Sequence, residues 1–408
     1  MVLMRSYPGI VVDVVFSVLL VYFFYNVEYV FIGVGSLYFS MAIFGVLYLY
    51  LILSKRCFGF CMPLQLTLFL IMAGVFFLSY SLNIPDVDAH LLKVIVGSFF
   101  AFFIVPNVLF FVYKKNPLNV LMVISYAGII NALFIVSMFV FNDFKVWYQY
   151  FIVSSAEKIY GVEVHDSMMS LRMIGIDGFS AYSTSVKQSF FAFIYGLYVF
   201  FKRCSPRFID DMVFCLLIFS AILSARTGLF GLLFFSVFYV FSFGVKRSLF
   251  LFGLFLGFMA VVIYFISLLF SAEVYEFFSA WFFDVLSNGG NVGSLSKNLE
   301  MYVFGFYDFS LLGDFRWFGD DSVYYMGVDV GWYRYAFAVG YLGAFFLILY
   351  VASFVVPIRL VKMHVVGVLL LMVLYIFIVM FKGAILADSF VLLSLLSSVR
   401  IFHTVFRG

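Results

Sequence analysis

Residues 209–247 read IDDMVFCLLIFSAILSARTGLFGLLFFSVFYVFSFGVKR. The stretch from Ile209 to Gly244 is apolar enough to lie in a membrane. As one helix its thirty-six residues would reach about 54 Å, well past a hydrocarbon core of about 30 Å. A single crossing would also put Lys246 and Arg247 outside, against the tendency of basic short loops to stay in the cytosol. Two short spans joined by a tight turn at Ser224-Ala225-Arg226-Thr227-Gly228 satisfy both constraints. That turn delivers Arg226 to the outer face.

The same two rules organise the rest of the chain. Hydrophobic residues make up 66% of the 408 and charged residues only 11%, with a mean hydropathy of +1.16, so no soluble class fits. Net charge is +3, and the basic residues sit in small clusters between apolar runs, so nothing forms a nucleic-acid face. The sequence predicts an all-α polytopic membrane protein with about 12 spans, over 10–25, 28–53, 64–82, 91–113, 118–141, 188–201, 209–224, 228–244, 248–270, 336–357, 365–381 and 383–400. With both termini in the cytosol, the inner segments hold Arg5, the pairs Lys55/Arg56, Lys114/Lys115, Lys202/Arg203 and Lys246/Arg247, then Arg207, Arg359, Lys362, Arg400 and Arg407. The short outer loops carry Glu28, Asp86 and Asp88 instead. Arg5 precedes an apolar run without a small-residue cleavage site, which predicts an uncleaved first span. Cys57, Cys61, Cys204 and Cys215 fall on or near the cytosolic side, where a disulfide is not expected and no zinc spacing is present.

Residues 1–408 thus read as one membrane domain with two long outer loops, 142–187 and 271–335. Loops of that length are usually functional. Val146 to Val153 and Met301 to Phe309 read as helices lying against the membrane or packing on the bundle. The run from Ser287 to Ser294 is a mobile loop by composition.

Catalytic templates for nucleotide, serine-hydrolase and metalloprotease chemistry are absent, and only His90 and His165 of the four histidines fall outside, so no metal site or cofactor is expected. Arginines facing outward stand against the charge bias: Arg172, Arg226, Arg316 and Arg334. An arginine near lipid needs a partner, and the guanidinium fork fits phosphate oxygens in pairs. Arg316, among Asp308, Asp314, Asp320 and Asp321, reads as a loop salt bridge. Arg172 is divided between loop structure and ligand binding, given Glu163, Asp166 and Asp177 nearby. For Arg226 no acid lies close in sequence, which favours a ligand, whereas Arg334 has Asp329 as a competing structural partner. The second loop also holds Tyr302, Trp317, Tyr324, Tyr325, Trp332 and Tyr333, which suit either an interfacial belt or a sugar surface. A general base must reach the acceptor hydroxyl. Asp329, where the loop meets a helix, is the first candidate and His165 the second. Lys382 and Asp388 flank the last outer turn and read as a structural pair.

Three local patterns recur with this topology: Arg172 to Gly175 as Arg-x-x-Gly, Ala225 to Gly228 as Ala-Arg-Thr-Gly, and Asp329 to Arg334 leading into a helix with Gly340 and Gly343. In these patterns and in its overall layout the chain resembles the bacterial O-antigen polymerase (Wzy) family, integral membrane glycosyltransferases of the GT-C type. The resemblance implies transfer of a growing glycan from undecaprenyl pyrophosphate to a lipid-linked repeat unit at the outer leaflet of the inner membrane. It implies pyrophosphate binding by Arg172, Arg226 and Arg334, a loop carboxylate or histidine as base, no metal, and a chain-length regulator as partner. The second long loop lacks the histidine of the related O-antigen ligases, which argues against that role. A lipid-linked oligosaccharide flippase is the leading alternative, with a non-catalytic membrane scaffold behind it.

Overall fold

The computed structural model describes residues 9–54, 62–84, 88–153, 173–177, 181–269, 301–302, 304–319, 324–355, 363–387 and 389–406. Among them the protein is all-helical, with isolated bridges and no strand. The helices are α1 (Ile10–Tyr25), α2 (Ser36–Leu53), α3 (Pro63–Leu82), α4 (Ala89–Phe99), α5 (Val105–Val112), α6 (Leu118–Val140) and α7 (Asn142–Gln149). They continue with α8 (Ala181–Arg203), α9 (Phe208–Ser224), α10 (Gly228–Phe243), α11 (Val245–Leu269), α12 (Gly331–Ser353), α13 (Met363–Val379) and α14 (Ser389–Phe406). Among the described residues five segments are both long and apolar enough to cross a membrane: Ser36–Leu53, Pro63–Leu82, His90–Val112, Leu118–Val140 and Gly331–Ser353. Four shorter apolar helices accompany them. The protein is a multi-pass helical membrane protein.

Local chemistry explains the elements. Between α4 and α5 lies a π-turn at Phe100–Ile104. Pro106 cannot donate to the ladder and would crowd the carbonyl four residues back, and the wider turn relieves that conflict. The expected break between α9 and α10 is present, with α9 ending at Ser224 and α10 starting at Gly228. A Cβ at Gly228 would lie 2.5 Å from the carbonyl carbon of Ala221, so only glycine lets the chain reverse this tightly. The expected second span begins later than predicted, because residues 28–35 form a turn closed by a Glu28–Gly35 bridge. Conversely, α8 starts earlier than expected, at Ala181, and α12 at Gly331, so each takes in the last residues of a long loop.

α8 is the central helix, packed by α6, α9, α10 and α14. Aromatic rings fill the core around it. Phe191 of α8 lies 4.4 Å from Phe390 of α14, which in turn meets Phe24 of α1 at 4.8 Å. Such ring pairs add about 0.5–1.5 kcal/mol each beyond simple burial.

α12 is not continuous. Gly340 adopts φ +65° and ψ −172°, which breaks the helix and frees backbone groups at membrane depth. Residues 310–315 of the second long loop insert there and take them up. Asp314 N donates to Phe337 O at 2.7 Å and Phe315 N to Ala338 O at 3.0 Å, while Tyr341 N reaches Ser310 O and Leu342 N reaches Leu311 O. Ser79 of α3 adds a hydroxyl to Ala338 O at 3.2 Å, and Asn83 donates to Gly313 O at 3.1 Å. Irregular backbone at this depth survives only when protein satisfies it, and here it does.

Candidate functional site

The inserted segment carries Trp317 and Phe318 to the start of α12, where Arg334 waits. Asp88, at the N-terminus of α4, fixes the segment: its carboxylate accepts from Trp317 N at 3.3 Å and Phe318 N at 3.1 Å, and its own N–H donates to Phe315 O. The Arg334 guanidinium then lies 4.1 Å from the Trp317 ring centre and 3.9 Å from that of Tyr324, with Phe318 at 5.9 Å. His90 stacks on Trp317 with ring centres 5.9 Å apart. Cation–π contacts of this kind contribute about 0.5–2 kcal/mol each, and two flat rings also fix the plane of the guanidinium.

Asp329 is the acidic member. Its Oδ1 stands 3.6 Å from Arg334 Nη1, outside hydrogen-bond range, and its side chain is 46% exposed against 8% for Arg334. Arg334 Nε is buried without a hydrogen-bond partner. Burial pushes the Asp329 carboxyl up from 3.8 to about 6 even though its outer side stays open, with the charges of Arg334 and Lys382 pulling it down. A carboxylate with that pKa is poised to exchange a proton near neutral pH.

Arg226 occupies the α9–α10 turn and is half-buried. The turn is held by Gly228 N on Ala225 O at 2.9 Å and Leu229 N on Arg226 O at 3.0 Å. Ser185 of α8 donates to Ala221 O at 2.7 Å and contacts Ala225 O at 3.3 Å. One turn earlier on α8, Tyr182 donates to Val379 O and reaches Gly383 O at 3.4 Å. Gly383 in turn abuts Gly331, since a Cβ there would meet Gly383 O at 2.4 Å. The Arg226 turn, bonded to Ser185, and the Asp329–Arg334 pair, linked through the Gly331–Gly383 contact to Tyr182, therefore sit at the same end of α8. His165 and Arg172 lie outside the described residues, as do Asp320, Asp321 and Asp388. Arg316 has its guanidinium over the Tyr325 ring at 5.8 Å.

Several participants were not legible as such in the sequence. Lys187, inside the expected first loop, is 4% exposed in the α8 core and pairs with Asp177 at 3.2 Å. It also donates to Phe24 O at 2.8 Å, and Thr184 donates to Asp177 at 3.0 Å. Ile176 N bonds Asn131 at 2.7 Å and Tyr148 bonds Ile176 O at 3.0 Å, so residues 175–177 are tied into the bundle. The only signal for Lys187 was a lone cation beside an apolar run. Among the described residues no group of His, Cys, Asp or Glu could hold a metal ion.

The chain matches no family model, no curated protein and no solved structure.

Proposed function

We propose that the protein is a surface-polysaccharide polymerase of the O-antigen type. In this reading it crosses the bacterial inner membrane about twelve times, keeps both termini in the cytosol and exposes the two long loops outside. It transfers a glycan from undecaprenyl pyrophosphate to the sugar of a lipid-linked repeat unit. The observation that carries the reading is Arg334, oriented by Trp317 and Tyr324, with the half-exposed Asp329 carboxyl 3.6 Å away. A preoriented guanidinium stabilises charge building on a departing diphosphate without reorganising, and an adjacent carboxylate accepts the proton of the attacking hydroxyl. Arg226, at the same end of the bundle, supplies a second cation, and Arg172 a third. A chain-length regulator is the expected protein partner.

The break in α12 does not favour a flippase, because the inserted segment closes it and bonds Phe337 O and Ala338 O. The test is direct. Purified protein in liposomes, given only lipid-linked repeat units, should build a ladder of longer glycans. Absence of polymer with a folded, correctly inserted protein would overturn the proposal. In cells, Arg226→Ala should leave single repeats on the carrier and on the lipid core while long chains vanish; loss of the single repeats as well would instead indicate transport.

A further inference from the structure

We infer that the groove between α9, α10 and α11 binds one anionic phospholipid of the bilayer, with an acyl chain in the groove and the phosphate at the start of α11. The site lies at the opposite end of α9 from Arg226, and it does not depend on the polymerase reading.

The groove is a consequence of side-chain size. Phe214 of α9, Phe235 of α10 and Phe255 of α11 line it and are buried. Three small residues, Cys215, Ser236 and Ser248, also line it, in helices otherwise rich in Phe and Leu. The space they leave is about 250 Å³. Its lining is mostly apolar, and Ser236 turns its hydroxyl back onto Leu232 O at 2.8 Å. A sugar would find too few hydrogen-bond partners here, whereas a stretch of hydrocarbon chain needs none. Leu249 and Phe252 belong to the same lining and are 66% and 51% exposed, so the groove opens on the outside of the bundle.

Charge selects the lipid. Lys246 and Arg247 lie in the first turn of α11, and Lys246 stands three residues before Leu249, on the same face of the helix. The first bond within this turn is Ser248 N to Gly244 O at 3.1 Å. The N–H groups of residues 245–247 precede it and form the positive end of the helix dipole. Cations at that end work against the dipole. Arg247 is offset by Asp211 of α9, although its Nε is buried without a hydrogen-bond partner. Lys246 is exposed and has no ion pair among the described residues. Asp210, the neighbouring acid, is held by Arg203. These two pairs tie the ends of α8, α9 and α11 together, so the exposed Lys202 and Arg207 add positive charge to the same end. A phosphate placed at the start of α11 meets unpaired N–H groups and Lys246 at once. An anionic headgroup is the phosphate that a membrane presents beside an apolar groove.

A basic residue at a helix end also fixes orientation in the membrane, and that role alone is the competitor. Full-length protein, purified in detergent and stripped of lipid, is titrated with phosphatidylglycerol or with phosphatidylcholine of the same chains. Bound lipids are counted by native mass spectrometry, and unfolding is followed on heating. Wild type should retain one phosphatidylglycerol at about fivefold or higher affinity than phosphatidylcholine, and should unfold at a higher temperature with it. Lys246→Gln should weaken phosphatidylglycerol binding about fivefold and leave phosphatidylcholine unchanged, the effect of one basic residue near an anionic headgroup. Ser236→Leu, which fills the groove, should lose both the retained lipid and the added thermal stability. Equal retention of the two lipids by wild type, or undiminished phosphatidylglycerol affinity in Lys246→Gln, overturns the inference and leaves Lys246 only its role in orientation. A folded Ser236→Leu protein that still holds the lipid overturns the groove as the seat of the chain. None of these readings uses turnover, so a protein that binds the lipid but makes no polymer overturns only the polymerase reading.

Discussion

The two ends of α8 treat their charges in opposite ways. At its C-terminal end Arg203 pairs with Asp210 at 2.8 Å, Arg247 pairs with Asp211, and Tyr195 and Tyr239 complete the carboxylates at 2.7 and 2.6 Å. Asp210 and Asp211 are buried, and each carboxylate is matched by both an arginine and a tyrosine hydroxyl. At the N-terminal end Arg334 is steadied by rings instead of by a tight ion pair, and its carboxylate stands off at 3.6 Å, partly in the open. At one end of α8 charge is matched by charge; at the other a cation is oriented chiefly by neutral rings. Lys187–Asp177 shows that the N-terminal end can also build a closed pair where structure requires one.

Exchanging the roles of the two ends should fail, and the largest effect belongs to the arginines. Arg334→Ala should lower polymer formation by about 100-fold or more, the loss typical of removing a preoriented charge stabiliser. Arg203→Ala should leave the rate per folded molecule within about twofold but cost about 3 kcal/mol in unfolding stability, because buried Asp210 loses its partner. If Arg203→Ala abolished turnover at unchanged stability, the contrast between the ends would be broken.

Next in size is the response to pH. If Asp329 is the base, the wild-type rate should rise as pH passes about 6 and then level, and Asp329→Asn should lie about 100-fold lower without that rise. The sign for stability runs the other way. A carboxyl whose folded pKa is raised opposes folding once it ionises, so stability is full below 3.8 and falls as pH rises through about 6. Asp329→Asn should therefore unfold no earlier than wild type at pH 8, and a lowered unfolding temperature there would show that the carboxylate is structural.

A smaller effect is expected at the break in α12. Gly340→Ala places a Cβ 2.3 Å from Leu311 O at a positive φ, and should cost about 1–3 kcal/mol and roughly tenfold in rate, since Trp317 rides on the displaced segment. Wild-type kinetics in this variant would sever the link between the break and the ring pair. Smallest of all is Lys145 on α7, which is buried and whose amine burial pulls down to about 8. Its charged form opposes folding, so stability rises as pH climbs from about 8 towards 10.5. Lys145→Met should raise stability by about 1 kcal/mol at pH 7, with the gain shrinking above pH 8, as followed by thermal unfolding across pH.

The helical layout was legible because hydropathy and charge act locally. The turn at Arg226 and the entry of Arg334 into a helix appear where the sequence predicts them, whereas the helix expected over Val146 to Val153 forms instead at Asn142–Gln149 and the one expected over Met301 to Phe309 is only a 3-10 turn at Phe306–Asp308. The rest depended on partners far away in the chain. Nothing near Gly340 announces that residues 310–315 will bond its neighbours, since a glycine in an apolar run reads equally as close packing. Arg334 reads locally as the partner of Asp329, yet its closest neighbours by ring distance are Trp317, seventeen residues before it, and Tyr324. Lys382 reads as the partner of Asp388 because both flank one turn; Asp388 lies outside the described residues, and the Lys382 amine lies 6.0 Å from the Tyr182 ring centre.

The break at Gly340 also bears on how the chain is made. Phe337 O and Ala338 O are bonded by a segment that precedes α12, and bare carbonyls in hydrocarbon cost several kcal/mol each. The helix cannot be released alone from the insertion machinery without that penalty. The inserted segment and the two halves of α12 must then leave together, so the end of the molecule that holds Arg334 is assembled at birth instead of by later docking of a loop.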